Sequence, residues 1–172
     1  RVKANGTVLA SGNQSVTINA FVPGKEPTPT ATFTASGADS GTLSNVTSGM
    51  KYSVDGGSKW IAISDTTVSI TSGVTTTNGI QVKKPGNGTT TIDSDAQTIT
   101  VTKAGTPNLT VTQPAVIGGK GTVATTTAHE YSSDNGSNWT DCTAGQKLAA
   151  GSYLIRVKAN GTVLASGNQS VT

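Results

Sequence analysis

Apolar residues along this chain alternate with polar ones over short runs, and each run stops at glycine, asparagine or serine. TATFT holds Phe33, and GTLSNV follows a glycine-bearing turn. KYSV and KWIAI flank the turn DGGS. TTVSI puts Val68 and Ile70 on one face, GIQVKK does the same with Ile80 and Val82, and Ala96 to Val101 turns Ile99 and Val101 inward. A period of two in runs this short predicts half-buried antiparallel strands. No segment carries a 3.6-residue apolar period, so almost no helix is expected. No apolar stretch is long enough for a membrane-spanning helix. Asn5–Gly6, Asn87–Gly88 and Asn160–Gly161 predict type I′ hairpin turns, because both residue types tolerate positive φ.

The pattern repeats at two scales. The seventeen letters RVKANGTVLASGNQSVT are residues 1–17 and, unchanged, residues 156–172. The expectation is a window cut from a longer array whose period is the offset between Arg1 and Arg156. Within that period KYSVDGGSKW (Lys51 to Trp60) matches EYSSDNGSNW (Glu130 to Trp139). TPTATFT matches TPNLTVT, IQVKKPGNGT matches IRVKANGT, and AQTITVT matches NQSVT. Residues 29–106 therefore read as one module and 107–172 as a second, nearly complete one. Residues 1–28 read as the C-terminal hairpin and linker of a preceding module.

Short strands with turn signals every few residues must bury one sheet face against another. The predicted fold is all-β: tandem immunoglobulin-like antiparallel β-sandwich modules of about seven short strands each. Trp60 and Trp139, one per module, are expected at the centre of each core; the alternative is an exposed platform for stacking sugars. VPGKEPTPT (Val22 to Thr30) should be an extended, stiff spacer, with KAGTP (Lys103 to Pro107) a shorter joint. Residues 1–17 alone would make two strands of a bare hairpin, which is marginally stable unless something completes it. A covalent array is preferred over a strand-exchanged polymer as that completion.

Composition narrows the chemistry. Only 12% of residues are charged and the net charge is +3. The lysines are scattered, and the longest basic run is Lys83–Lys84, so a clustered face for nucleic acid is not expected. Cys142 is the sole cysteine and reads as a small buried hydrophobe matching Ile63. His129 stands without a catalytic partner and reads as a solvent-facing residue at a strand edge. Asp93 and Asp95 form a D-x-D near a turn, too few oxygens for calcium. No zinc spacing and no phosphate loop occur. No catalytic residue, metal or cofactor is expected, and the chain does not read as an enzyme.

SVDGGSKW and SSDNGSNW both fit S-x-D-x-G-x-x-W, which resembles the Asp-box hairpin of sialidases and other β-propeller proteins. The resemblance implies a folding role only, for Ser53, Asp55, Gly57 and Trp60 and for Ser132, Asp134, Gly136 and Trp139. Asp and Ser side chains would bind backbone N–H groups of the turn while the aromatic packs beneath. A sialidase is excluded, since its arginines are missing: only Arg1 and Arg156 occur, one repeat position counted twice.

EYSSDNGSNWTDCTAGQKLAAGSYLIRVKANGTVLAS resembles tandem modules of very large secreted and cell-surface proteins of bacteria, especially Firmicutes. The likeness rests on YSxDxGSxW, on AGSYLIRVKA and on the S-x-x-Q-x-V-T strand. The first module departs from it, with GVTTTNGIQVKK in place of AGSYLIRVKA. The resemblance implies Ig-like folds, export and a structural or adhesive use. The expected function is a structural repeat segment of an extracellular filament, fibre or cell-surface stalk, whose partners are copies of itself. The alternative is an adhesin or carbohydrate-binding array acting on cell-wall or host glycans, where repetition supplies avidity.

Overall fold

The alternating runs form short strands: in a computed structural model describing residues 2–172, there is no helix among the described residues. Among the described residues no helix is long and apolar enough to cross a membrane. Arg1 lies outside the described residues. The first half holds β1 (Gly24–Lys25), β2 (Thr32–Ala35), β3 (Gly41–Ser44), β4 (Lys51–Ser53), β5 (Ile61–Ala62), β6 (Thr67–Ile70), β7 (Ile80–Lys83), β8 (Thr91–Ile92) and β9 (Gln97–Ile99). Two antiparallel sheets result, ordered β2-β3-β6 and β5-β4-β7-β9. Pairing Phe33 with Leu43 and Leu43 with Val68 in one sheet, and Tyr52 with Val82 in the other, brings the apolar alternates together. They bury Phe33, Leu43, Val46, Tyr52, Ile63, Ile70, Val74, Ile80, Val82 and Val101 in one core.

The second half repeats this plan with β10 (Thr102–Lys103), β11 (Val111–Thr112), β12 (Gly121–Val123), β13 (His129–Ser132), β14 (Thr140–Asp141), β15 (Gln146–Leu148), β16 (Tyr153–Val157), β17 (Val163–Leu164) and β18 (Gln169–Val171). Its sheets are β11-β12-β15 and β14-β13-β16-β18, the same order strand for strand. Val111 opposite Val123 takes the place of Phe33 opposite Leu43, and Tyr131 opposite Ile155 that of Tyr52 opposite Val82. The second core is smaller: Val123, Leu148, Ile155 and Val171, with Leu109, Tyr131 and Tyr153 packed against them.

The remaining strands lie outside the sheets. β8 sits on the arm between β7 and β9 and pairs in parallel with the linker strand β1. β17 sits on the arm between β16 and β18 and pairs in parallel with β10. Parallel pairing was not legible, because two-residue strands carry no periodicity. VPGKEPTPT is thus no free spacer. Its Lys25 pairs with Asp95 at 2.5 Å and its Glu26 with Lys84 at 2.8 Å, both on the arm of the following module.

Three expectations are corrected. Trp60 and Trp139 are half-buried and belong to neither core. Each instead carries a cation over its ring: Lys83 Nζ lies 4.6 Å from the Trp60 centroid, and the Arg156 guanidinium carbon lies 3.7 Å from that of Trp139. The cores are filled by aliphatic residues, Phe33 and the tyrosines. The Asn-Gly turns are also not type I′. In Asn160–Val163 and Asn5–Val8 only the glycine, the first central residue, has positive φ (54° and 57°), the pattern of type II′. Finally, residues 2–17 form no strands; they close a single bridge between Asn5 and Val8.

Candidate functional site

Each S-x-D-x-G-x-x-W segment folds into the same hydrogen-bonded knot at the end of β4 or β13. Ser53 is fully buried, and its hydroxyl donates to Asp55 Oδ1 at 2.7 Å while accepting the Gly57 N–H at 2.9 Å and the Asp55 N–H at 3.3 Å. Asp55 Oδ1 also accepts the Lys59 N–H at 3.0 Å. In the second copy the Ser132 hydroxyl donates to Asp134 Oδ1 at 2.7 Å and accepts the Gly136 N–H at 2.8 Å. Asn138 adds its backbone N–H at 2.9 Å and its side-chain amide at 2.7 Å to the Asp134 carboxylate. Gly57 and Gly136 have φ of 90° and 89°, which a side chain adopts only under strain.

These donors lower the carboxyl pKa values. The Asn138 N–H, then the Ser132 hydroxyl, hold Asp134 at about 2, and the Lys59 N–H with the Ser53 hydroxyl lower Asp55. Both carboxylates stay ionised and spend their oxygens on their own turn. The Trp139 indole N–H donates to Gly136 O at 3.0 Å, which seats the ring on the outer face of the sheet. Arg156 stacks on that ring and pairs with Glu130 at 2.7 Å, both side chains being mostly buried. Lys83 over Trp60 pairs with Asp93 at 2.9 Å.

The second construction joins the modules. The arm of the second sandwich turns at Asn160–Val163 and lays its backbone along the end of β2. The Ala35 N–H donates to Gly161 O at 2.7 Å, and the Ala165 N–H donates to Gly37 O at 2.9 Å. Leu164 thereby enters the core of the first sandwich, with Ala159 packed against the same cluster. The linker closes the other side, where the Thr102 N–H donates to Thr162 O and the Ala104 N–H to Leu164 O.

A serine at the root fixes each arm. Ser166 Oγ accepts the Val157 N–H at 2.8 Å, and the Ser166 N–H returns to Val157 O at 3.1 Å. Ser94 makes the same pair of bonds with Lys84, and Ser11 with Val2. Three residues on, Gln97 and Gln169 clamp the opening of the sandwich. The Gln97 amide binds both N–H and C=O of Ala31 at 2.7 and 2.8 Å, and Gln169 does so with Leu109 at 2.7 and 2.9 Å. The S-x-x-Q spacing carried this signal; its meaning needed the fold.

The other candidates stand apart. His129 lies on the inner strand β13, not at a sheet edge, and its Nδ1 accepts the Thr126 N–H at 3.0 Å. Asp93 and Asp95 are held by different lysines, Lys83 and Lys25. Cys142 is buried, and that burial pushes its thiol pKa up. Among the described residues no three His, Cys, Asp or Glu side chains gather as a metal site. No protein-family model matches the chain, and no curated protein matches it.

Proposed function

We propose that this chain is a segment of an extracellular filament, fibre or cell-surface stalk built of tandem Ig-like modules, whose work is mechanical extension and display. The observation that carries the reading is the insertion of Leu164 into the first sandwich. A joint that shares a hydrophobic core with its neighbour resists bending, whereas modules on a free linker move independently. The ion pairs that pin Lys25 and Glu26 to the next arm act in the same direction. The duplication of residues 1–17 at 156–172 supplies the repetition. Electron microscopy of the full-length product tests this: unbranched rods whose length grows with repeat number are expected, and compact particles overturn it.

Glycan binding remains a second reading because Trp60 and Trp139 lie on outer sheet faces. Against it, a cation already covers a face of each ring. Cell-wall and host oligosaccharides that shift the indole resonances would favour it.

A further inference from the structure

The distal end of the second sandwich holds an apolar cavity of 290 Å³, walled by Val111, Pro114, Val123, Leu148, Tyr153 and Val171. Strand for strand these positions correspond to the wall that Leu164 meets in the first sandwich: Val111 stands for Phe33, Val123 for Leu43, Leu148 for Ile70 and Tyr153 for Ile80. The first sandwich is closed because two further side chains fill that end, Leu164 from the next module's arm and Val101 from the link between β9 and β10, each 1% exposed. The second sandwich has neither counterpart in place, and Val116 and Ile117 beside its mouth are exposed.

The missing pieces are present elsewhere in the chain. Ile92 occupies on the first module's arm the place that Leu164 has on the second: β8 pairs with β1 as β17 pairs with β10, with Ile92 opposite Lys25 as Leu164 is opposite Lys103. The backbone bonds agree, from Gly24 N–H to Thr90 O and Glu26 N–H to Ile92 O in one joint, and from Thr102 N–H to Thr162 O and Ala104 N–H to Leu164 O in the other. Yet Ile92 is 50% exposed, because no sandwich lies in front of it here. In an array, Ile18 follows the repeat of Thr172 as Val101 follows Thr100, and it is 91% exposed.

We propose that the cavity at the end of the second sandwich is the socket for the following copy of the first module, filled by that copy's Ile92 and by the Ile18 that precedes it. The inference rests on the array reading above. The register follows from the joint already seen: the Gln113 N–H donates to the arm of the next module as the Ala35 N–H does to Gly161, and Ala115 O accepts as Gly37 O does. The two joints of the period are then the same device with different plugs, leucine in one and isoleucine in the other. A larger void awaits the isoleucine plug because valines stand where the first module has Phe33 and Leu43.

The test is a chain of two consecutive periods, residues 1–172 followed by a second copy of 18–172, with the first period alone isotope-labelled by segmental ligation. Amide exchange at Gln113, Leu148 and Val171 of the first period is expected to slow at least about tenfold relative to the 172-residue chain. Ile92→Asp in the second copy should abolish that protection and Ile92→Ala reduce it. The same substitutions in the first copy should leave it unchanged, and the labelled amides of Lys84 and Ser94 at the root of that arm show whether the substituted arm folds. Leu164→Asp, opening the joint already seen, calibrates the response. Exchange that is indifferent to the following period, or to Ile92 of the second copy, overturns the socket. Because the two-period chain is made by design, that result leaves the array reading to imaging of the native product, and a native product without tandem periods would remove the array reading alone.

Discussion

Leu164 and Phe33 belong to different sandwiches and share one core, in which they are 1% and 4% exposed. The identical residue of the first seventeen, Leu9, is 88% exposed. The turn bridge and the serine anchor are the same in both, but Leu164 has the paired linker strand β10 beside it and a sandwich to enter, and Leu9 has neither. Leu164→Ala should therefore destabilise the first sandwich by ~2–5 kcal/mol, the cost of lost burial plus a cavity. Leu9→Ala in the 172-residue chain should cost less than ~0.5 kcal/mol. Urea unfolding followed through the amides of Ile80 and Val82 measures both. Equal effects would show that the arm acts within its own module.

Ser53 is a fully buried three-bond hub. Ser53→Ala leaves the N–H groups of Asp55 and Gly57 without their acceptor and takes a donor from Asp55. An unsatisfied buried donor costs ~1–3 kcal/mol, and the first sandwich should lose that much. Ser58→Ala removes one exposed bond to Asp55 O and should cost well under ~1 kcal/mol. Chemical denaturation of the two variants side by side distinguishes a structural knot from a solvated turn.

How far the sequence could be read depended on whether a feature was local. Strand alternation around Phe33, Ile70, Ile80 and Val82 is local, and the sheets follow it. The Ser–Asp–Gly turn is local too: its bonds close within the segment from Ser53 to Lys59. Trp60 and Trp139 misled because size suggests a core, whereas their neighbours decide the side. Lys83 and Arg156 alternate with the buried Val82 and Ile155, so the face they occupy is the outer one, and each indole lies against it. The arms were hidden for another reason. Val163–Leu164 and Thr91–Ile92 look like ordinary strand residues of their own modules, and no pattern within a module reveals that the partner is the module before. Likewise Asn160–Gly161 signals a tight turn, but which central residue takes positive φ is set by the strands it joins.

The carboxylates in the two knots predict an acid limb. Asp134 has its pKa lowered to about 2 by the Asn138 N–H, the Ser132 hydroxyl and the Asn138 side chain. A group lowered on folding stabilises the native state above its unfolded pKa. That contribution is lost as the pH falls from about 4 through about 2. The second sandwich should lose thermal stability over that window. Asp134→Asn should flatten this part of the profile relative to the parent, with a lower Tm at neutral pH. Melting curves of both proteins from about pH 7 down to about pH 2 cover the neutral plateau and the window in which the carboxyl takes up its proton, and give the comparison. Parallel profiles would place the acid sensitivity elsewhere, as in Asp93 or Glu26, whose pKa values are lowered by Lys83 and Lys84.

The two modules also differ where their strand order is the same, and a pair of glycines exposes the difference. Gly41 and Gly121 hold equivalent places at the start of β3 and β12. A methyl group on Gly41 would lie 2.3 Å from the Phe33 ring and 2.4 Å from Thr34 O, one of them backbone that cannot yield. On Gly121 the nearest atom is Thr112 O at 3.3 Å: the backbone stands further off there, and Val111 puts no ring where Phe33 has one. Gly41→Ala should cost ~1–3 kcal/mol by overpacking and should loosen the seat of Leu164 as well. Gly121→Ala should cost less than ~1 kcal/mol, since a shift of a few tenths of an ångström accommodates it. Urea midpoints settle the comparison, and a Gly121→Ala variant as damaged as Gly41→Ala would mean that the second core is packed as tightly as the first, leaving no room for the isoleucine that its cavity is proposed to receive.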